Sequence, residues 1–240
     1  MPVFLKASWE NIIMANYSVP AEILNPFLPA GVELDLFSNK AYVSLVGFMF
    51  KKTKLFQVPI PWLGTFEEIN LRFYVIRKEE GKTKRGVVFV NETIPYQAVA
   101  WVANKLYKEH YTAIATKHKW NIGKENKEIE YQWKVDKRWN SLSAESSNVS
   151  ELIDKDSFEE FIFEHYFGYT KVNSTNTEEY HILHPSWKVN KVTAYKINCD
   201  FDKMYGSQFA FLNSTKPDSV FLAEGSWVEV DWKRNKLTIT

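Results

Sequence analysis

One cysteine, Cys199, is all the chain has in 240 residues. An internal disulfide framework is excluded, and the usage fits a reducing compartment. An excess of charge of either sign is also lacking, since 30 Lys+Arg stand against 29 Asp+Glu for a formal +1. With no basic field and no acidic tail, a nucleic-acid partner is not expected. No run approaches the ~20 apolar residues needed to span a bilayer, and residues 1–6 do not form the apolar core of a signal peptide. A membrane partner is not expected either, and the chain reads as a soluble cytoplasmic protein. Internal repeats and low-complexity tracts are missing. So are a G-x-S-x-G elbow, a Walker-type loop and a Rossmann glycine fingerprint. His181 and His184 have a spacing that suits zinc on a helix, but on a strand the offset puts them on opposite faces, with no second Cys or His pair elsewhere. Neither a metal nor a cofactor is expected.

Aromatics are plentiful: Trp 9, Tyr 12 and Phe 17 make 16% of the chain. That abundance suits a strand-rich core or a concave ligand site. The stretch around which the chain is organised runs Glu68-Ile69-Asn70-Leu71-Arg72-Phe73-Tyr74-Val75. As a strand it alternates faces. Ile69, Leu71, Phe73 and Val75 fall on one side, and Glu68, Asn70, Arg72 and Tyr74 on the other. A row of acid, amide, guanidinium and phenol either faces water, as antiparallel sheets often do, or lines a polar cavity. The aromatic and proline-rich segment before it, residues 56–66 with Trp62 at its centre, favours a pocket mouth.

Patterning places further strands at residues 32–37 and 41–50, joined as a hairpin by the turn Ser38-Asn39-Lys40, and at 86–90, 111–120, 128–135, 138–144, 177–183, 189–201, 219–230 and 236–240. A short helix follows Pro20. A helix over about 95–109 carries Ala98, Trp101, Val102, Lys105 and Leu106 on one face. The capping box Ser157-Phe158-Glu159-Glu160 opens a helix over 158–167 that Gly168 stops. Residues 141–150, rich in serine and asparagine, read as a surface loop. The expected architecture is α+β and β-rich: a large, mostly antiparallel sheet with two main helices, in one domain spanning 1–240.

His184-Pro185-Ser186-Trp187 is the second candidate stretch, because proline holds the histidine extended and Trp187 could wall a pocket. Adjacent Glu67 and Glu68 must point to opposite faces, so only Glu68 belongs to the polar row. Cys199 has no adjacent base and reads as a buried thiol. Lys105, Lys108 and Lys117 are the lysines that could be weighed for a Schiff base, with solvated side chains as the plain alternative.

Several motifs recur in order: Leu28-Pro29-x-Gly31-Val32-Glu33-Leu34-Asp35, Phe66-x-Glu68-x-Asn70-x-Arg72-x-Tyr74-Val75, Gly86-Val87-x-Phe89, a helix leading to Tyr111, Glu164-x-Tyr166, and His184-Pro185-Ser186-Trp187. Together they resemble the YqjF-like family of domains of unknown function, within the acetoacetate-decarboxylase-like superfamily, over nearly the whole chain. Two departures are Asn104 and His165, where the family usually carries arginine. The resemblance implies a curled, cone- or barrel-like sheet enclosing a cavity. It also implies that Tyr111-Thr112 stand where true acetoacetate decarboxylases have their lysine pair, so Schiff-base decarboxylation is not expected. Fold alone does not transfer function.

Two readings follow. In the first, a small anionic or carbonyl-containing molecule occupies the pocket and the protein is an enzyme of lyase or hydrolase type. Arg72 then grips a carboxylate, Glu68 is the general acid/base, and Asn70, Tyr74, Tyr111, His184, Trp187 and Trp62 complete the binding site. In the second, the protein is a non-catalytic binding or structural protein in which Glu68 and Arg72 form an ion pair that holds strands together. A homo-oligomer is compatible with either.

Overall fold

A computed structural model describes residues 3–59, 64–107 and 110–238. The polar row lies on β5 (Phe66–Glu79), and the strands before it are β1 (Val3–Val19), β2 (Glu33–Leu34), β3 (Ala41–Leu55) and β4 (Val58–Pro59). After it come β6 (Lys82–Ile94), helix α1 (Gln97–Tyr107), β7 (Tyr111–Ala113), β8 (Thr116–Ile122), β9 (Asn126–Val135) and β10 (Arg138–Leu152). The last third holds α2 (Phe158–Phe163), β11 (Phe167–Lys171), β12 (Asn176–Leu183), β13 (Lys188–Asn198), α3 (Phe201–Tyr205), β14 (Ser219–Asp231) and β15 (Asn235–Thr238).

Pairing runs β6-β5-β3-β1-β14 on one side and β6-β11-β12 on the other. Two further pairs, Ile182↔Val230 and Leu183↔Glu229, join β12 to β14 and close these strands into a ring. The pairing is antiparallel except where β11 and β7 each run parallel to β6. A second layer, β13-β10-β9-β8, leaves the ring at β14. It covers the outer face, where Ile69, Leu71, Phe73 and Val75 of β5 pack with Tyr131, Trp133 and Leu142. Inside the ring, Ile12, Met14, Phe48, Tyr74 and Val87 pack against Phe161–Phe163 of α2, which fills one end.

Long strands keep one face inward around a tight ring only if they bend, and β-bulges supply the bend. In β1 the inward set is Leu5, Ala7 and Trp9, then Ile12 and Met14. The phase changes at Asn11, whose φ is +51°. Opposite it, Gly225 has φ +81°, and a Cβ there would lie 2.1 Å from the Trp9 carbonyl oxygen, so no other residue fits without moving backbone. In β3, Lys52 at φ +53° switches the inward set from Phe48 and Phe50 to Thr53 and Leu55. In β6 a shift opposite Leu71/Arg72 switches it from Val87 and Phe89 to Glu92 and Ile94.

Several elements differ from expectation. Residues 32–37 do not form a hairpin with 41–50: only Glu33–Leu34 is strand, paired to β5, with a lone Phe37↔Lys40 bridge at the turn. Residues 141–150 are strand, because β9 and β13 flank β10 and supply backbone partners whatever its polarity. The stretch 111–120 breaks into β7 and β8, while 201–213 forms α3 and a short 3-10 helix. Helix α1 turns Val99, Ala100 and Asn104 inward and leaves Trp101 63% exposed, so Trp101 does not face the core as its apolar spacing suggested. No described helix is long and apolar enough to cross a membrane.

Candidate functional site

The inner face of β5 carries the polar row. Glu68, Asn70 and Arg72 are 3%, 2% and 8% exposed and line a cavity of about 330 Å³. Its wall is drawn from β1, β3, β5, β6, β7, α1, β12 and β14, which places it inside the ring. Glu67, one residue away, points outward and accepts hydrogen bonds from Thr116 Oγ1 at 2.7 Å and from His118 Nδ1. Eight of the 21 lining residues are aromatic, with Trp9, Phe48, Phe50 and Phe66 forming a continuous wall of ring contacts at 4.7–5.6 Å.

Arg72 donates from Nη2 to the Ile162 carbonyl at 3.2 Å and to Met14 Sδ at 3.5 Å, and its Cζ lies 5.6 Å from the centre of the Tyr74 ring. That carbonyl is available because α2 ends early. Ser157 Oγ accepts from Glu160 N at 3.1 Å, as its capping pattern predicts, but Glu164 leaves helical geometry and the helix stops at Phe163. The last carbonyls of a helix lack partners along the chain and carry its negative end. Phe161 and Ile162 present theirs to Arg85 and Arg72. Among the described residues no carboxylate lies within salt-bridge distance of Arg72, and neither Nη1 nor Nε has a hydrogen-bond partner. Glu68 and Arg72 are four residues apart on one strand, roughly 13 Å, so they form no ion pair and the pairing expected of them is absent. Asn70 Nδ2 instead holds Glu68 Oε1 at 3.0 Å.

Tyr111 lines the cavity opposite Glu92, its Cα partner on β6. Asn104 fixes it there: Nδ2 donates to the Tyr111 carbonyl at 2.8 Å, and Oδ1 accepts from the Tyr111 N–H at 2.7 Å. Tyr74 shares the inner face but is not part of the wall. Its hydroxyl meets Ser44 Oγ at 2.5 Å, and its ring lies 4.7 Å from His165 and 5.2 Å from Phe161. His184 and Trp187 also stand outside the cavity wall. The imidazole stacks between Tyr166 at 4.7 Å and Trp187 at 4.3 Å, burial pushes its pKa down, and Trp187 Nε1 donates to Ser226 Oγ at 2.8 Å. Trp62 and Lys108 fall outside the described residues. Among the described residues no lysine lines the cavity, Lys105 and Lys117 are exposed, and no cluster of His, Cys, Asp and Glu could hold a metal ion.

His165, the second departure from the family pattern, is buried beside Asp35, with Nε2 3.4 Å from Asp35 Oδ2. Burial drives its pKa down to about 4 despite that carboxylate. Burial would raise Asp35, but hydrogen bonds from His165 and Arg85 outweigh it and hold the carboxyl below its usual range.

Sequence reasoning missed Glu92, Tyr180, Arg234 and the ring wall. Uninterrupted alternation from Val87 and Phe89 selects Asn91, and the bulge brings Glu92 inward in its place. Arg234 looks like a turn residue, yet its guanidinium lies 4.2 Å over the Tyr180 ring at the cavity wall.

The architecture is similar to that of an acetoacetate decarboxylase-like enzyme from Sphingomonas wittichii RW1, with a TM-score of 0.66 at 9% identity over 100% of this chain and 95% of that one. Acetoacetate decarboxylase from Legionella pneumophila subsp. pneumophila str. Philadelphia 1 matches with a TM-score of 0.62 at 10% identity over 99% and 87%. The enduracididine biosynthesis enzyme MppR, complexed with pyruvate, matches with 0.64 at 11% identity over 99% and 91%. These likenesses show the fold. In sequence, the uncharacterized protein YqjF of Bacillus subtilis (strain 168) is 26% identical over 198 residues, 79% of this chain and 76% of that protein. The DUF2071 model, described as an uncharacterized conserved protein, matches residues 6–227, and the chain belongs to that family.

Proposed function

We propose that the ring encloses a binding pocket for a small organic acid, anionic or carbonyl-containing, whose carboxylate is gripped by Arg72. The observation that carries this reading is the Arg72 guanidinium. It is buried in a largely apolar cavity, its described partners are a carbonyl, a thioether and a ring face, and Nη1 has no partner among them. A buried charge is costly without a counter-charge. A carboxylate reaching Nη1 supplies one in a charge-assisted bond. A volume of about 330 Å³ is at the lower end of the ~300–1,000 Å³ typical of ligand pockets.

Glu68, oriented by Asn70, is the group for proton transfer, and Tyr111, held by Asn104 two strands along the same wall, is a hydroxyl donor. A lyase or hydrolase reaction on the bound acid would use these groups. Imine chemistry of the decarboxylase kind is not part of this proposal, since no described lysine reaches the cavity. Pyruvate bound to MppR, a protein of similar fold, is consistent with an acid ligand. The single cysteine, buried with its thiol pKa pushed up by burial, supports a cytoplasmic location.

The test is thermal unfolding of the wild type and Arg72→Met against a panel of carboxylic and keto acids. An acid that raises the wild-type midpoint and leaves the variant unmoved supports the reading, with a shift that grows as ligand exceeds Kd. If both proteins respond equally to every acid, Arg72 is not the anchor and the reading fails.

A further inference from the structure

Resting on the reading of Arg72 as a carboxylate anchor, we infer that the acid carries an aromatic ring at its far end and is not a three- or four-carbon keto acid. The Arg72 guanidinium lies beside Met14, whose partner Val46 pairs with Asn70. The positive charge therefore sits about level with Asn70. Phe66 is four residues further along the same strand, roughly 13 Å away. At that end the wall is made of Phe66 and its stacked neighbour Phe50, with Phe48 and Trp9 beside them on one side and Ile94 of the adjoining β6 on the other, and Val99 of α1 also lines the cavity.

A short keto acid held at Arg72 does not reach these rings, and the ring-lined end would then hold water against a mostly apolar wall, with Thr53 and Glu68 among its few polar groups. At about 30 Å³ per water in the liquid, the cavity of about 330 Å³ has room for considerably more than such an acid. Aromatic rings prefer offset or edge contacts with other rings at 4.5–7 Å, the spacing this wall already shows among its own members. An aryl group at the end of a short alkanoate or 2-oxoalkanoate completes that arrangement while its carboxylate meets Arg72. Glu68 then faces the linking carbons, so any proton transfer takes place there.

The experiment is isothermal titration of the full chain with pyruvate, hexanoate, 3-phenylpropanoate, phenylpyruvate and the neutral 3-phenylpropanamide. The two aryl acids are expected to bind at least about tenfold more tightly than pyruvate or hexanoate, and the amide at least about tenfold more weakly than the aryl acids. Val99→Trp, which fills the apolar end, is expected to abolish that preference, lowering aryl-acid affinity at least about tenfold more than pyruvate affinity. Phe66→Leu, which keeps bulk and removes a ring, serves if Val99→Trp fails to fold, and it is expected to reduce aryl-acid affinity several-fold with hexanoate unaffected. If hexanoate matches the aryl acids, or pyruvate does, the inference is overturned while Arg72 remains the anchor. If the amide binds as well as the acids, the Arg72 reading fails and the aromatic preference stands. If no compound binds, both fail.

Discussion

Replacing Glu179 with glutamine should loosen the strand that closes the ring. Glu179 is buried on β12, 1% exposed. It accepts hydrogen bonds from Arg77 Nη1 at 2.8 Å, Lys84 Nζ at 2.9 Å, Asn235 Nδ2 at 3.1 Å and Tyr169 Oη at 3.1 Å. It thus ties β12 to β5, β6, β11 and β15. Burial alone would raise its pKa, but the bonds from Lys84, Asn235 and Arg77 prevail and bring it down to about 2. Against an ordinary value of 4.5, at 1.36 kcal/mol per pKa unit, the carboxylate contributes about 3 kcal/mol at neutral pH. That is the low end of the ~3–5 kcal/mol lost when a buried pair is broken. The low end is appropriate here, because Arg77 and Lys84 both keep Glu79, at 2.5 and 2.7 Å.

In a chain of this size 1 kcal/mol moves Tm by roughly 2–4 °C, so Glu179→Gln should melt roughly 6–12 °C below wild type at pH 7. The folded-state pKa is depressed, so the contribution is present in full above the unfolded-state value of 4.5 and fades as pH falls toward about 2. Urea unfolding of both proteins at pH 7, 5, 4 and 3 should therefore show curves that stay apart down to about pH 5 and converge below it. A gap that is absent at pH 7, or one that persists unchanged at pH 3, refutes the electrostatic account.

Two other perturbations test the frame around the cavity. Gly225→Ala puts a methyl 2.1 Å from the Trp9 carbonyl at a φ of +81°, and the summed strain and overpacking of about 2–4 kcal/mol should lower Tm by roughly 4–16 °C; a variant melting with wild type would show that the bulge at Asn11 and Gly225 is not a fixed pivot. His165 titrates in the same sense as Glu179 but in a higher window: its folded pKa of about 4 lies below its ordinary 6.5, so the unfolded chain binds a proton that the folded one refuses, and stability falls by up to about 3 kcal/mol between pH 6.5 and 4. Unfolding free energies for wild type and His165→Asn at pH 7, 5.5 and 4.5 should show the variant losing less with acid, and parallel losses would count against a neutral buried imidazole.

Alternation along β5 was enough to divide Glu68, Asn70, Arg72 and Tyr74 from Ile69, Leu71, Phe73 and Val75, because a strand has a period of two whatever surrounds it. Aromatic content signalled a concave, ring-lined interior, and Ser157 with Glu160 marked where α2 begins, since capping is chemistry between near neighbours. The single cysteine and balanced charge narrowed the class without reference to the fold. Everything that depends on a phase change or on a distant partner was decided by tertiary structure. Single-residue bulges at Asn11, at Lys52 and opposite Arg72 reverse which side chains face inward, and so Glu92 and not Asn91 reaches the cavity. Two residue pairs between β12 and β14, more than forty positions apart along the chain, close the ring and bring Tyr180, Ile182 and Val230 to the same wall as Arg72. The early end of α2 frees the Ile162 carbonyl for Arg72, and the two hydrogen bonds from Asn104 set Tyr111. Local sequence fixes propensity and periodicity over a few residues. Where a strand bends and what lies across the ring depend on packing among segments far apart in the chain, and these positioned the cavity's polar groups.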